Sequence, residues 1–163
     1  MNCTQFREIM RHHAGAVTLI CTGSVGNRSG LTATAVCSLT DTPPTILVCI
    51  NKNASAHDVI FNTGKFSVNV LGERHHAIAG IFAGQSNLKG EERFNAAGDV
   101  WGSHASGTPW LHGALAHLDC SVVEKQEFSS HTIFLGLVNE GEGSGDTVPL
   151  LYCHGRFGVW SEI

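Results

Sequence analysis

The sequence predicts a mainly β protein, a barrel or sandwich with a few short helices. Two observations lead to this fold class. Segments with the alternating or continuous apolar pattern of strands recur at short intervals, and helical spacing is confined to short stretches. The sequence also lacks the regular succession of strands and long helices that a parallel sheet requires.

The first third of the chain predicts one helix and one hairpin. Residues 4–13 place apolar side chains three and four apart, which predicts a short amphipathic helix capped by Thr4. Residues 16–22 have the pattern of a buried strand. Residues 29–44, after a Gly-containing turn, form the predicted second strand of the hairpin, which ends at a double proline.

Small side chains distinguish the 29–44 strand. Thr32, Ala33, Thr34 and Ala35 leave the backbone bare, where a strand that only packs a core would carry bulkier residues. A flat ligand could lie against such a backbone and be oriented by hydroxyls and edge amides. The alternative, an ordinary edge strand that ends in a Pro-Pro turn, stays open from this stretch alone.

A polar segment follows the next strand. Residues 45–50 are continuously apolar, and residues 55–62 predict a helix capped by Asn53 or Ser55. Free amides at a helix start, with hydroxyls and Lys52 nearby, suit a phosphate group. An ordinary N-cap explains Ser55 without any ligand, but it explains Lys52 less well.

The second half of the chain predicts mostly strands. Within a loop-rich segment, the charged residues Glu91, Glu92 and Arg93 indicate a solvated turn. The elements predicted here are strands at 65–71, 114–124, 131–138 and 149–153, a helix at 75–83, the loop-rich segment at 84–98, a connection at 125–130 and a flexible turn at 141–146.

Length and composition restrict the class of protein. The 163 residues predict one domain, 1–163, with 15% charged residues and a net charge of −4. So low a charged fraction, with 19 glycines, indicates that a partner subunit or a cofactor covers part of the surface. The sequence has no basic run, no apolar stretch of membrane length and no secretory signal, so we expect a cytoplasmic protein without nucleic-acid or membrane partners.

Cysteines and histidines do not predict a metal site or a disulfide framework. The six cysteines never form Cys-x-x-Cys and are expected to be buried free thiols. Among ten histidines, the pairs His12-His13, His75-His76 and His112 with His117 lack the spacing of a zinc site, so no metal is expected. Rossmann, Walker and Gly-x-Ser-x-Gly motifs are absent from the sequence.

Six pieces of sequence, taken in order, carry a family resemblance. They are residues 32–44, 47–55, 66–71, 92–94, 131–136 and 150–152. Together they resemble the short-chain flavin reductases, the reductase components of two-component flavin-dependent aromatic monooxygenases of the hydroxyphenylacetate 3-monooxygenase type. Each piece is weak by itself, but the series covers nearly the whole chain.

The resemblance implies an FMN-binding split β-barrel, assembled as a homodimer, that takes FMN or FAD. It implies that the small-sided strand reads the isoalloxazine edge mainly through its backbone, and that the polar segment holds the ribityl phosphate. The cofactor-binding residues implied are Thr32, Ala33, Thr34, Ala35, Val36, Cys37 and Ser38 at the ring, Asn51, Lys52 and Ser55 at the phosphate, and Phe82, Ala83, Arg93 and Tyr152 elsewhere along the cofactor.

His131 is the catalytic residue that the resemblance implies, facing the nicotinamide side of the flavin, with Arg156 and Phe157 bordering the nicotinamide. The family usually shows Gly-Asp-His at this point, whereas this chain has Ser129-Ser130-His131. The histidine is kept and the two residues before it differ. This difference concerns the geometry of the loop and the choice between NADH and NADPH more than the reaction itself. A hydrogen-bonded histidine at a strand end is the ordinary alternative.

The implied activity is that of an NAD(P)H:flavin oxidoreductase. Hydride passes from NADH or NADPH to FMN or FAD, and the reduced flavin is released to an oxygenase partner. One alternative is a split-barrel flavin-binding protein with another role, either pyridoxamine-phosphate-oxidase-like or a flavin carrier. Another is a metal-binding barrel, which the histidine spacing does not favour.

Overall fold

Antiparallel strands make up most of the protein, as the sequence predicts. The computed structural model describes residues 1–98, 100–144 and 147–163. Its helices are α1 (Cys3–Met10), α2 (His57–Thr63), α3 (His76–Phe82), which follows a 3-10 turn (Glu73–His75), and α4 (Glu91–Ala97). Its strands are β1 (Gly15–Ala16), β2 (Thr18–Thr22), β3 (Ser29–Ala33), β4 (Val36–Asp41), β5 (Pro44–Asn51), β6 (Lys65–Val70), β7 (Trp101–Ser103), β8 (Pro109–Leu111), β9 (Ala116–Phe128), β10 (His131–Gly143), β11 (Leu150–Cys153) and β12 (Arg156–Val159).

One curled sheet of seven strands carries the fold, in the order β3-β2-β6-β9-β10-β5-β4. Its two edge strands, β3 and β4, are consecutive in the chain and separated only by Thr34 and Ala35. Two residues span less than about 10 Å, so the sheet has to curl until its edges approach each other. The edges do not pair strand to strand, and the barrel stays split. The fold class predicted from the sequence is confirmed.

Two apolar clusters fill the space on the two sides of the sheet. Ile20, Val48, Phe66 and Phe134 belong to the cluster inside the curl. The other cluster lies beneath α3 and α4 and includes Leu19, Phe82 and Phe94. Strand β2 contributes to both clusters, and all five of its residues are buried. This explains why residues 16–22 have the sequence pattern of a buried strand.

The 29–44 segment is two strands, not the single strand that the sequence predicts. β3 pairs with β2, whereas β4 turns away at Thr34 and Ala35 to pair with β5 at the opposite edge. The small side chains therefore coincide with the crossing between the two edges. This finding places a backbone turn in the middle of the small-sided stretch.

The predicted helix caps are wrong at two helices. α1 is capped by Asn2, whose side chain accepts from the amides of Thr4 and Gln5 in a capping box. α2 begins at His57 and its first residue has no side-chain cap, so neither Asn53 nor Ser55 is an N-cap. The Ser55 hydroxyl instead accepts a hydrogen bond from the Ser29 hydroxyl at 3.3 Å.

Several segments without a clear pattern are ordered by tertiary contacts. α4 lies within the predicted loop 84–98, and β7 pairs with β8 within 101–112. The β9–β10 hairpin continues through residues 125–128 to a turn at Ser129 and Ser130, where Ser129 has a φ of 50°. Of the turn predicted at 141–146, residues 141–143 belong to β10, and Gly145 and Asp146 lie outside the described residues.

The expectations for the cysteines and for membrane-spanning segments can be compared with the structure. All six cysteines are free thiols, but only Cys21 and Cys120 are buried as expected. Cys49 and Cys153 are half-buried, and Cys3 and Cys37 are exposed. Among the described residues, no helix combines the length and the apolarity needed to cross a bilayer.

Candidate functional site

A groove along the edge strand β3 collects most of the residues that the sequence predicts to bind a ligand. One end, of about 260 Å³, is flanked by two aromatic rings and is called the apolar end below. The other, of about 550 Å³, has charged and amide side chains and is called the polar end. Thr32 and Ala83 line both ends, so the two cavities form one continuous groove. A concave site that is apolar along part of its length and polar at a few points is the usual form of a small-molecule site.

The apolar end lies between β3 and the β11–β12 hairpin. Tyr152 and Phe157 are register partners in that hairpin, and their rings meet edge to face with centroids 5.4 Å apart. The small side chains of β3 face them across the cavity, which leaves a slot for a planar ring. The lining residues are Val17, Thr32, Ala33, Thr34, Ala83, Gln85, Tyr152 and Phe157.

The backbone of β3 is accessible because β3 is an edge strand. Of the described strands, β2 alone pairs with it, so every second N–H and C=O group of β3 points away from the sheet. The hydroxyl of Thr32 donates to the carbonyl of Ala79 at 2.7 Å, which ties the strand to α3. Gly30 allows the Phe82 ring to approach, since a Cβ there would lie 3.0 Å from it. The strand thus presents backbone to the groove, and the Thr32 hydroxyl is already engaged.

Arg93 is the central cation of the polar end. Its Nη1 donates to the carbonyls of Gly30 at 3.0 Å and Phe82 at 3.4 Å, and its Nε donates to Leu88 at 2.9 Å. Within the described residues, no carboxylate pairs with Arg93. Burial lowers the pKa of this guanidinium, so an anion bound beside it would offset the cost of burying its charge.

Lys89 is the second cation of this end. It lines the cavity together with the side chains of Asn51, Asn53 and Ser55. Lysine and arginine both bind phosphate, the first as a point charge and the second through its planar fork. Two cations facing amide and hydroxyl groups therefore give the polar end the chemistry of a phosphate site.

An ion pair between two segments that are distant in the chain holds α4, and with it Arg93, beside the groove. The Arg28 guanidinium pairs with the Glu91 carboxylate and lies 4.6 Å from the centroid of the Phe94 ring. The side-chain hydrogen bonds from Arg28 hold the pKa of Glu91 below its usual range. The solvated turn predicted for Glu91, Glu92 and Arg93 is therefore wrong. These residues form the first turn of α4, with Glu91 held by Arg28 and Arg93 at the groove.

The structure divides the sequence-predicted cofactor residues into two sets. Those that line the groove are Thr32, Ala33, Thr34, Asn51, Ser55, Phe82, Ala83, Arg93, Tyr152 and Phe157. Those outside its lining are Ala35, Val36, Cys37, Ser38, Lys52 and Arg156.

Each residue outside the lining has a structural explanation. Ala35 lies in the crossing, and Val36, Cys37 and Ser38 belong to β4 at the other sheet edge. The Lys52 Nζ pairs with Glu127 Oε2 at 2.7 Å, which lowers the pKa of that exposed carboxyl. Arg156 is exposed at the start of β12. Lys52 therefore already has an anionic partner, whereas Lys89 lines the groove.

His131 lies at the first position of β10, near the polar end of the groove. Its register partner on β5 is Asn51, which lines that end, and its Nδ1 lies 2.9 Å from Ser130 Oγ. His131 is absent from the lining of the apolar end. The predicted catalytic histidine therefore lies on the strand next to Asn51, and it lines neither end of the groove.

Sequence reasoning missed seven residues that line the groove, of which three carry polar side chains. The polar ones are Asn53, Gln85 and Lys89, and the others are Val17, Leu31, Ala54 and Gly84. Lys89 precedes Gly90, whose φ is 49°, and the acidic pair that begins α4. A glycine followed by two acidic residues is a helix-start signal. With that signal, the sequence would have predicted a helix beginning at Glu91 in place of a loop, with Lys89 just before it and Arg93 in its first turn.

Comparisons with known proteins agree with one another. The flavin reductase like domain matches residues 10–161. The FMN reductase (NADH) RutF of Methylorubrum populi is 41% identical over 157 residues, covering 96% of this chain and 76% of the relative. The 4-hydroxyphenylacetate 3-monooxygenase reductase component of Pseudomonas aeruginosa is 43% identical over 130 residues, covering 80% and 75%.

A solved structure gives the same result for the fold. The NADH:FAD oxidoreductase SgcE6 of Streptomyces globisporus, in complex with NAD and FAD fragments, superposes with a TM-score of 0.86 at 30% identity, covering 97% of this chain and 92% of that one. The resemblance drawn from six pieces of sequence is confirmed by these matches.

Proposed function

The chain belongs to the flavin reductase like domain family, and from this we infer that it is an NAD(P)H-dependent flavin reductase that supplies reduced flavin to a partner monooxygenase. Flavin and nicotinamide carry the redox chemistry, in which hydride passes from nicotinamide C4 to flavin N5. The protein's part is to bind the two rings against each other, orient them and exclude water. The activity and cofactors expected from the sequence are confirmed at this level.

The observation that carries the placement of the flavin is the polarity of the groove. Its apolar end, between β3 and the aromatic pair Tyr152 and Phe157, fits a planar ring system. Its polar end, with Arg93 lacking a carboxylate among the described residues and Lys89 beside it, fits a phosphate. A flavin nucleotide carries both groups, joined by a polar ribityl chain.

Backbone groups of β3 are proposed to read the ring. Flavin N1 and its neighbouring carbonyl gain negative charge on reduction, and amides of the edge strand would stabilise that charge. Ala33 and Thr34 test this role. Ala33→Leu fills the slot and should weaken flavin binding about tenfold or more, whereas Thr34→Val removes one hydroxyl and should change it less than about threefold.

We propose a homodimer formed through the outer face of the sheet. Val48, Ile50 and Phe134 lie in the core cluster, so alternation places their neighbours on the opposite face. There, Leu135 pairs in register with Leu47, and Ile133 with Cys49. An apolar sheet face of this kind is usually covered by a partner.

The oligomer is tested by sedimentation velocity. Leu135→Glu should convert the dimer to monomer, and Val25→Asp, at a turn position that is 74% exposed, should leave it intact. A wild-type monomer at micromolar concentration would contradict the proposal.

The organisation and location of the protein are also proposals. Gly15 near the N-terminus pairs with Tyr152 near the C-terminus, which supports residues 1–163 as one domain. Six free thiols, two of them exposed, support a reducing compartment such as the cytoplasm. Cell fractionation with an antibody to the protein tests the location.

One assay tests the reductase activity and the site together. NADH and NADPH oxidation is followed with FMN, FAD and riboflavin as acceptors, and binding of each flavin is titrated separately. We expect oxidation with FMN or FAD and a weaker apparent affinity for riboflavin, which lacks the phosphate. Protein that binds flavin but oxidises neither nucleotide would instead be a flavin carrier.

A further inference from the structure

A second cavity lies far along the β9–β10 hairpin from the turn at Ser129 and Ser130. It has a volume of about 320 Å³ and lies where Ser103 and Trp110 of the β7–β8 pair meet His117 of β9 and Glu140 and Glu142 of β10. It shares no lining residue with either end of the flavin groove. His104, His117, Glu140 and Glu142 are called the two-histidine cluster below.

Each histidine of the cluster has a carboxylate near one ring nitrogen, and for His104 that carboxylate is within hydrogen-bond distance. His104 Nδ1 lies 3.0 Å from Glu140 Oε1, and His117 Nε2 lies 3.9 Å from Glu142 Oε2. A carboxylate on the far nitrogen is the usual support of a metal-binding histidine, because it fixes the tautomer and orients the ring.

The other nitrogen of each ring has no hydrogen-bond partner among the described residues. These atoms, His104 Nε2 and His117 Nδ1, are buried, and the His104 side chain is only 4% exposed. A buried nitrogen left without a partner costs about 1–3 kcal/mol. Two such atoms in neighbouring side chains that line one cavity indicate that a ligand is to be bound there.

The spacing of the rings fits a shared ion. Their centroids are 5.0 Å apart and their planes are inclined by 60°. Two imidazoles bound to one tetrahedral ion, with bonds of about 2.0–2.1 Å, have centroids about 5 Å apart.

The charges around the cavity favour a cation. Glu140 and Glu142 line it, and the Asp119 carboxylate lies close by, accepting from the Ser106 and Thr108 hydroxyls at 2.5 and 2.6 Å. Among the described residues that line this cavity, none is lysine or arginine.

We propose that the two-histidine cluster binds one borderline divalent transition-metal ion, such as Zn²⁺, through His104 Nε2 and His117 Nδ1. Imidazole ligands suit Zn²⁺, Ni²⁺ and Cu²⁺. No three His, Cys, Asp or Glu side chains in the described residues are arranged as a complete metal site, so water fills the remaining coordination positions. This is fewer protein ligands than a structural zinc site has, and the ion exchanges with solvent.

Trp110 provides a local reporter for this ion. Its ring stacks on His117 with centroids 4.5 Å apart and an interplanar angle of 17°. Ni²⁺ or Cu²⁺ at the cluster should therefore quench its fluorescence, and Zn²⁺ should be bound with a stoichiometry of one in calorimetry. Because the cluster lies outside the groove, flavin reductase activity should not change with Zn²⁺ occupancy.

Variants of the full-length protein decide the assignment. His104→Ala and His117→Gln should each abolish Zn²⁺ binding and Ni²⁺ quenching, and Glu140→Gln should weaken Zn²⁺ binding about tenfold or more. His12→Ala is the matched control, because His12 and His154 form another close ring pair, 4.8 Å apart, and it should bind Zn²⁺ as the wild type does. Wild-type protein that binds no Zn²⁺, or binding that survives both cluster variants, overturns the proposal. Thermal melting identifies a variant that fails to fold, and the remaining cluster variant then decides.

Discussion

Replacement of Lys89 by methionine distinguishes the phosphate site proposed at the polar end of the groove from the one that the sequence predicts at Lys52. Lys89 lines the polar end, whereas Lys52, the lysine singled out by the sequence, is paired with Glu127 at 2.7 Å. Met keeps the length of the side chain and removes only the charge. Lys89→Met should therefore weaken binding of FMN and leave riboflavin unaffected, and Lys52→Met is the matched control.

The size of the effect follows from exposure. Two unit charges about 4 Å apart interact with about 1 kcal/mol in water and about 4 kcal/mol near a protein surface of effective dielectric constant 20. Lys89 is exposed, so we take the lower value, which corresponds to about a fivefold rise in the Kd for FMN. The effect should shrink as salt rises, because the screening length is about 10 Å at 0.1 M.

Fluorescence titration with FMN and with riboflavin gives the ratio of the two Kd values for each variant. We expect the ratio to move about fivefold towards riboflavin in Lys89→Met and less than about twofold in Lys52→Met. The opposite pattern would refute the phosphate assignment, since it would place the phosphate near Lys52. Equal losses for FMN and riboflavin would show that the change acts through the fold and not through the phosphate.

Three other changes test the core, an ion pair and the predicted catalytic residue. Gly136→Ala should lower the free energy of unfolding by about 1–3 kcal/mol, because its Cβ would overlap the Phe66 ring. Gly158→Ala is the control, since its Cβ would have nothing within 4 Å, and equal urea midpoints for the two variants would disprove this. Arg28 lowers the pKa of Glu91 from its ordinary 4.5, so the pair stabilises the fold above that pH and the stability is lost as pH falls through the lowered pKa. Glu91→Gln should lower the free energy of unfolding by about 1–3 kcal/mol at pH 7 and make it depend less on pH in the acid range. Urea denaturation at several pH values measures this, and a pH dependence equal to that of the wild type would argue against the ion pair's role. His131→Ala should slow NADH oxidation without abolishing flavin binding, and unchanged turnover would remove His131 from the site.

The local sequence pattern was sufficient to predict the buried strands. Residues 16–22, 45–50 and 65–71 became β2, β5 and β6 within two residues at each end, because alternation and apolar runs report burial directly. Elements whose stability comes from partners elsewhere were missed. α4 is held by an ion pair between Arg28 and Glu91, 63 residues apart in the chain, and no local window contains both.

The sequence by itself determined the fold class, the family and the small-sided strand against which a ring can lie. The tertiary structure decided how that stretch is used. β3 lies at one sheet edge and β4 at the other, so the part of the stretch that lines the groove is residues 31–34. It also decided which lysine lines the polar end of the groove, because Lys89 lies there and Lys52 pairs with Glu127. A side chain's charge is written in the sequence, but whether another chain segment neutralises it depends on the fold.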